Sequence, residues 1–164
     1  MDDLGPRLLD LLGERGGRRW PTRSGPNVRP PASLRRAIIA AMLRIYADAE
    51  GESHFEDVGF KFEQAEFVPP APPVMMTAFE DATSYAFELV PPGWHGDWHP
   101  APQRLMAIYL SGEGLIQASD GEVRKLERGT VLLAEDTAGK GHVSEVTGSE
   151  DMLVLIVMLT DRDG

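Results

Sequence analysis

Three of the chain's four histidines fall in two short segments, Gly93-Trp94-His95-Gly96-Asp97-Trp98-His99-Pro100 and Gly139-Lys140-Gly141-His142. A neutral imidazole nitrogen binds divalent Zn, Fe, Mn or Ni, and the same ring gives and takes hydrogen bonds. Each segment ends a strand-like run, and imidazole beside glycine and tryptophan fits the mouth of a β-barrel. His99 and His142 are the first pair. They either hold a metal together or stand as polar wall residues, bonded to each other or to nearby carboxylates. His95 belongs to the rim of the mouth. Trp94 and Trp98 can stack on a planar or sugar-like ligand, with Tyr109 and Tyr85 facing the lumen, or these aromatics simply pack the barrel. His54, with Glu52 and Glu56 close by, reads as a surface or edge residue. Glu135, Asp136 and Lys140 read as a solvated charged loop. No residue is singled out as catalytic.

Composition narrows the classes. The 164 residues carry a net charge of −10, distributed unevenly. Residues 1–41 hold 8 Lys/Arg against 4 Asp/Glu, and residues 42–164 hold 8 against 22. An acidic body repels nucleic acid and anionic membranes, because phosphate binding needs clustered cations. A small molecule is the expected partner. The chain has no cysteine, which fits a reducing compartment, and Asp2 and Asp3 stand where a secretory signal would be basic. A cytoplasmic location is the resulting expectation. There is no G-x-S-x-G elbow, no P-loop and no G-x-G-x-x-G following a strand.

The elements that must position the histidines are strands. Tyr85, Phe87 and Leu89 alternate with Ala86 and Glu88, and Val58, Phe60 and Phe62 alternate with Gly59 and Lys61. Short runs follow at 106–110, 115–118, 131–134, 143–146 and 152–159, and Asp120-Gly121 supplies a hairpin turn. Within 106–110, alternation places either Met106, Ile108 and Leu110 or Ala107 and Tyr109 inward. The Pro69–Pro73 cluster must be an extended connector. Ahead of this body, residues 1–32 read as a flexible extension rich in Gly, Pro and Arg, and 33–43 as a short helix capped by Ser33. The barrel domain is expected over 44–164. The change in charge near residue 41 also raises Met42 as an alternative start.

With these segments in place the chain resembles the cupin superfamily, small jelly-roll barrels of the double-stranded β-helix type. The first motif, G-x5-H-x-H-x3-4-E-x6-G, is similar to Gly93 through Gln103, closing at Gly112. The second, G-x5-P-x-G-x2-H-x3-N, is similar to Gly129 through His142, but lacks the proline and carries a loop two residues longer. The resemblance implies an all-β fold and a divalent metal in the lumen. His99 and His142 would be ligands, with Asp97 at the first histidine position and Gln103 at the glutamate position. Counting back from Gly112 instead puts Leu105 there. Asp97, His99 and His142 would form a 2-His-1-carboxylate set suited to non-haem iron, while Asp97 equally suits a turn after Gly96. The activities implied are metal-dependent oxygenation, isomerisation or lyase chemistry. The alternative is a non-catalytic sensing or binding module with a degenerate metal site. Pairing of sheets into a homodimer is also implied.

Overall fold

The computed structural model describes residues 41–160, all strand, turn and loop. The strands are β1 (Ala41–Ala47), β2 (Ser53–Gly59), β3 (Glu63–Ala65), β4 (Val74–Met76), β5 (Ala82–Val90), β6 (Leu105–Ser111), β7 (Glu113–Ala118), β8 (Val123–Glu127), β9 (Val131–Glu135), β10 (His142–Val146) and β11 (Met152–Leu159). The extension expected over 1–32 lies outside the described residues, as do residues 33–40 of the expected helix. Ala41–Leu43 open β1 instead of closing that helix.

Six strands form one sheet in the order β2-β1-β9-β6-β11-β5, and three form a second in the order β10-β7-β8. A small ribbon, β3-β4, stands apart from both. Every named pairing is antiparallel except β1 with β9, where Leu43 lies against Leu132 and Ile45 against Ala134. Period-two alternation gives each sheet one apolar face. Leu43 and Ile45 of β1, Ala107 and Tyr109 of β6, and Leu132 and Ala134 of β9 meet Ile116, Ala118, Leu126 and Val146 of the smaller sheet in one core. Fully burying side chains such as Ile45 and Ile116 contributes roughly 1.5–3 kcal/mol each. Two sheets packed face to face are the jelly-roll solution to open edges. This is the all-β barrel architecture expected.

The structure also decides the register of β6. Ala107 and Tyr109 face the core, while Met106 and Ile108 are only partly covered and Leu110 is exposed. The hairpin between β7 and β8 turns at Gly121, whose φ is +94°, with Gly121 N–H donating to the Ala118 carbonyl at 3.0 Å.

One charged chain binds the larger sheet together across three strands. Arg44 Nε of β1 donates to Glu135 Oε2 at 2.6 Å, and Arg104 Nε, just before β6, donates to Glu135 Oε1 at 2.7 Å. Arg104 reaches on to Glu80 at 3.2 Å. Burial works against ionising Glu135, but the two guanidinium groups outweigh it and hold the carboxyl below its usual range. Glu135 is therefore a sheet-spanning anchor and not the solvated loop residue its sequence neighbourhood implied.

Candidate functional site

The segment carrying His95 and His99 is not a free loop. It runs antiparallel beside β10 and extends the smaller sheet by one irregular strand. Val146 N–H donates to the Trp94 carbonyl at 2.9 Å, and Gly96 N–H donates to the Ser144 carbonyl at 2.9 Å. His95 pairs with Glu145, and His99 pairs with His142. Those two bridges differ by one residue in register, so the segment bulges between them.

The turn leading into His142 explains the two extra residues of the second motif. Gly139 and Gly141 have φ of +85° and +72°, a region side chains rarely adopt. A Cβ on Gly141 would lie 2.1 Å from the His99 carbonyl oxygen, and one on Gly139 would lie 2.5 Å from that of Gly51. The lengthened loop therefore needs glycine at both places to lay His142 against His99. The fully buried Ser53 hydroxyl holds the same loop by donating to the Gly141 carbonyl at 2.8 Å.

The two imidazole rings lie 4.7 Å apart between centroids, tilted by 55°. Each ring has its Nδ1 committed. His99 Nδ1 donates to the Asp97 backbone carbonyl at 2.7 Å, since a carbonyl can only accept. His142 Nδ1 donates to Asp136 Oδ2 at 2.6 Å. Asp136 is wholly buried, and its Oδ1 has no hydrogen-bond partner. Neither Nε2 has a hydrogen-bond partner among the described residues. With both Nδ1 atoms donating, each Nε2 is the ring nitrogen left to meet a ligand.

Both histidines line a cavity of about 170 Å³ inside the barrel. Its walls are mainly apolar, among them Leu105, Ala107, Leu132, Val154 and Ile156. Tyr109, Glu88, Ser144 and Glu145 bring polar atoms to it. Burial, reinforced by the Glu88 carboxylate, pushes the Tyr109 phenol well above its ordinary value, so its hydroxyl stays protonated.

The site residues expected from the sequence divide accordingly. His99, His142, Trp94 and Tyr109 are brought to the cavity, while His95, Trp98, Asp97 and Gln103 do not line it. Trp98 is 51% exposed, and Tyr85, expected in the lumen, does not line the cavity and is 71% exposed. The Gln103 amide is turned to the Leu159 carbonyl at 3.5 Å. Asp97 enters the site through its backbone, as the acceptor for His99. Asp136 was missed as a site residue because a carboxylate in an acidic, glycine-flanked loop reads as solvated. Its place six residues before His142 was the available signal.

A divalent metal, which the cupin resemblance implies, can be tested against these donors. The Asp136–His142 bond is the arrangement that orients a metal-binding imidazole, and two bare Nε2 atoms would suit an ion. Yet among the described residues no group of three or more His, Cys, Asp or Glu is arranged to hold one. Protein sites for such metals usually bring three or four ligands. The donor set present does not complete a metal centre.

No family model and no curated protein matches the sequence. Solved structures do. A Cupin 2 conserved barrel domain protein from Salinispora arenicola is 16% identical, over 59% of this chain and 72% of that one, with a TM-score of 0.39. A predicted oxalate decarboxylase from Thermotoga maritima is 21% identical, over 62% and 94%, with a TM-score of 0.39. The Cnp3 cupin domain of Schizosaccharomyces pombe is 13% identical, over 74% and 88%, with a TM-score of 0.42. The chain is similar to cupin barrels. Its own strand order and enclosed core carry the fold assignment. Among the described residues no helix is long and apolar enough to cross a membrane.

Proposed function

We propose that the barrel is a binding module for one small, ring-sized ligand with a polar edge. The observation that carries this is the pair of histidines, each with Nε2 unpartnered among the described residues, lining a mainly apolar cavity. Binding pockets commonly combine an apolar lining with a few convergent polar groups. About 170 Å³ is close to the roughly 150 Å³ of an engineered apolar cavity that accepts benzene. A ligand edge bearing O–H or N–H groups would donate to His99 and His142, and the Tyr109 hydroxyl offers a third contact. The Asp136 bond keeps His142 in the accepting tautomer, and the Asp97 carbonyl does the same for His99. The ligand body would be held by the aliphatic walls of β6, β9 and β11.

This reading favours sensing or sequestration over metal-dependent oxygenation, isomerisation or lyase chemistry, because those need a completed ligand set. A thermal-shift screen of hydroxylated six-membered rings tests it. The expected result is stabilisation of the wild-type protein that is lost in both His99→Ala and His142→Ala. Equal stabilisation of the double variant would overturn the role of the pair. One equivalent of tightly held divalent metal in the purified protein would reverse the choice between the two readings.

A further inference from the structure

The barrel cavity has an acidic side and no basic one. Among the described residues no Lys or Arg lines it, while Glu88 does. The register of the larger sheet explains how a charged residue of β5 comes to face the lumen. Glu88 stands opposite Val154 of β11, and Val154 stands opposite Tyr109 of β6. Residues directly opposite one another across a sheet share a face. Val154 and Tyr109 are both buried in the core, so the Glu88 side chain takes their inward face. Glu88 is itself exposed, which places its charge where solvent reaches the cavity. That charge is felt at the Tyr109 phenol, whose ionisation it opposes.

Elsewhere on this sheet carboxylates are neutralised. Glu135 lies between Arg44 and Arg104, Glu56 pairs with Arg44, and Asp57 pairs with Arg124. Glu88 has no ion-pair partner among the described residues. The Tyr109 hydroxyl has no hydrogen-bond partner among them either, although the residue is only 8% exposed and lines the same cavity. A buried hydroxyl left unbonded is costly, and a bound donor or acceptor recovers that cost. Trp94 adds an aromatic wall. Its ring folds over Gly96, where a Cβ would come within 2.8 Å of it, and an indole face attracts cations. Behind His142 stands a second carboxyl group, the wholly buried Asp136. The body as a whole agrees, since residues 42–164 hold 8 Lys/Arg against 22 Asp/Glu. Such a field gathers cations at a cleft and repels anions from it.

We infer that the ligand of this cavity is a cation, a protonated amine carried on one small ring. This rests on the barrel being a binding module and adds the ligand's charge to that reading. The ring lies among the aliphatic walls, and its ammonium group turns to Glu88 and the Tyr109 oxygen beside the Trp94 face. An ammonium group has three N–H donors and no acceptor, so it suits a carboxylate, a phenol oxygen and a histidine Nε2 together. Hydrogen bonds of this charged kind are stronger than those between neutral groups. A carboxylate or phosphate ligand would instead meet Glu88 with no cation in the lining to offset the repulsion. Glu88 is thus the residue that sets specificity by charge.

The test is isothermal titration of the full chain near neutral pH with three probes built on one ring, cyclohexylamine, cyclohexanol and cyclohexanecarboxylate. The amine should bind about 10-fold more tightly than the alcohol, and the carboxylate more weakly than either. Glu88→Gln should lower the amine's affinity about 10-fold and leave the alcohol's within about twofold, so that retained alcohol binding reports an intact cavity. Glu127→Gln makes the same change of net charge outside the cavity and should alter neither. Added salt should weaken the amine alone. An alcohol that binds as tightly as the amine, with both lost in His99→Ala, would overturn the charge assignment and leave the binding module standing. So would an amine whose affinity is unchanged in Glu88→Gln, or a preference for the carboxylate. Binding of none of the three, as when the chain's own residues 1–40 occupy the cavity, would overturn both.

Discussion

His99 and His142 exchange both of their backbone hydrogen bonds, N–H to carbonyl, at 3.0 and 2.9 Å. The pairing is made by main chain, so the exposed His99 side chain can be altered without dismantling the site, whereas the His142 ring is also the donor to buried Asp136. That separates binding from folding in a way few barrel interiors permit. His99→Gln should leave the unfolding free energy within about 1 kcal/mol of wild type while abolishing ligand-induced stabilisation, because the ring it removes is bonded only to the Asp97 backbone carbonyl. Chemical denaturation with and without ligand reads both quantities from one sample.

Asp136→Asn is expected to act through His142. The amide oxygen can still accept from Nδ1, but the position of the orphan Oδ1 would then hold a buried N–H₂ donor. Loss of ligand affinity by about 10–100-fold is expected, as when outer carboxylates of liganding histidines are removed. Isothermal titration measures this. The fold should lose about 1–3 kcal/mol, the cost of an unpaired buried polar group. Unchanged affinity in the Asn variant would show that the carboxylate is not what orients the ring.

Gly141→Ala should fail more severely than any other single methyl addition in the loop. Its Cβ would meet the His99 carbonyl, and the positive φ adds strain of about 1–3 kcal/mol on its own. Gly59→Ala is the matched control, since a Cβ there meets nothing within 4 Å. The control should melt within about 0.5 kcal/mol of wild type. Comparable losses in both would remove the argument from backbone approach.

The fourth histidine predicts a pH dependence. His54 places Nδ1 at 2.7 Å from Asp120 and Nε2 at 3.1 Å from Asp48, and both partners are carboxylates. Both nitrogens can donate only when the ring is protonated. The Asp48 bond, and then the Asp120 bond, raise its pKa above the ordinary histidine value. A raised folded-state pKa contributes stability that is fully present below about pH 6.5, the unfolded value, and is lost as pH rises through the folded value. The urea midpoint should therefore fall on going from pH 6 into the alkaline range, and His54→Gln should flatten that slope. A slope that persists in the variant would assign the dependence elsewhere.

Glu135 predicts the opposite limb. Its lowered pKa contributes stability above about pH 4.5 that is lost as pH falls through the folded value. Glu135→Ala leaves Arg104 buried without its nearest acceptor and should cost about 3 kcal/mol at neutral pH. Thermal melts across pH 3–7 distinguish the two contributions, because the variant should lose the acid-side dependence along with the stability.

Much of this architecture was legible because it rests on period and punctuation. The turn at Asp120-Gly121 and the strands at 131–134 and 152–159 follow from alternation and glycine spacing, while the meeting of His99 with His142 was implied by the resemblance to the cupin motifs. β1 was not legible. Its Leu43, Ile45 and neighbouring apolar residues sit at spacings that serve a helix as well as a strand, and parallel pairing with β9 decides between them. β8 escaped because Arg124, Lys125 and Glu127 mask a single inward Leu126. Asp136 and Glu135 escaped for a different reason. A buried carboxylate is stable only with its partners present, and those partners are supplied by the fold, from β1, from the start of β6 and from β10.

The parallel pairing of β1 with β9 also has a consequence in time. Arg44 and Glu135, which meet across it, are separated by 91 positions. At roughly 5–20 residues per second of synthesis, β1 waits on the order of 5–20 s for its inner neighbour. During that interval it has β2 alone, and a lone hairpin is marginally stable. The apolar row of Leu43 and Ile45 is then the surface a nascent chain must keep from its neighbours on the ribosome. Pulse-labelled hydrogen exchange during refolding should find the β1 amides protected only when those of β9 are, which makes closure of the larger sheet the slow event.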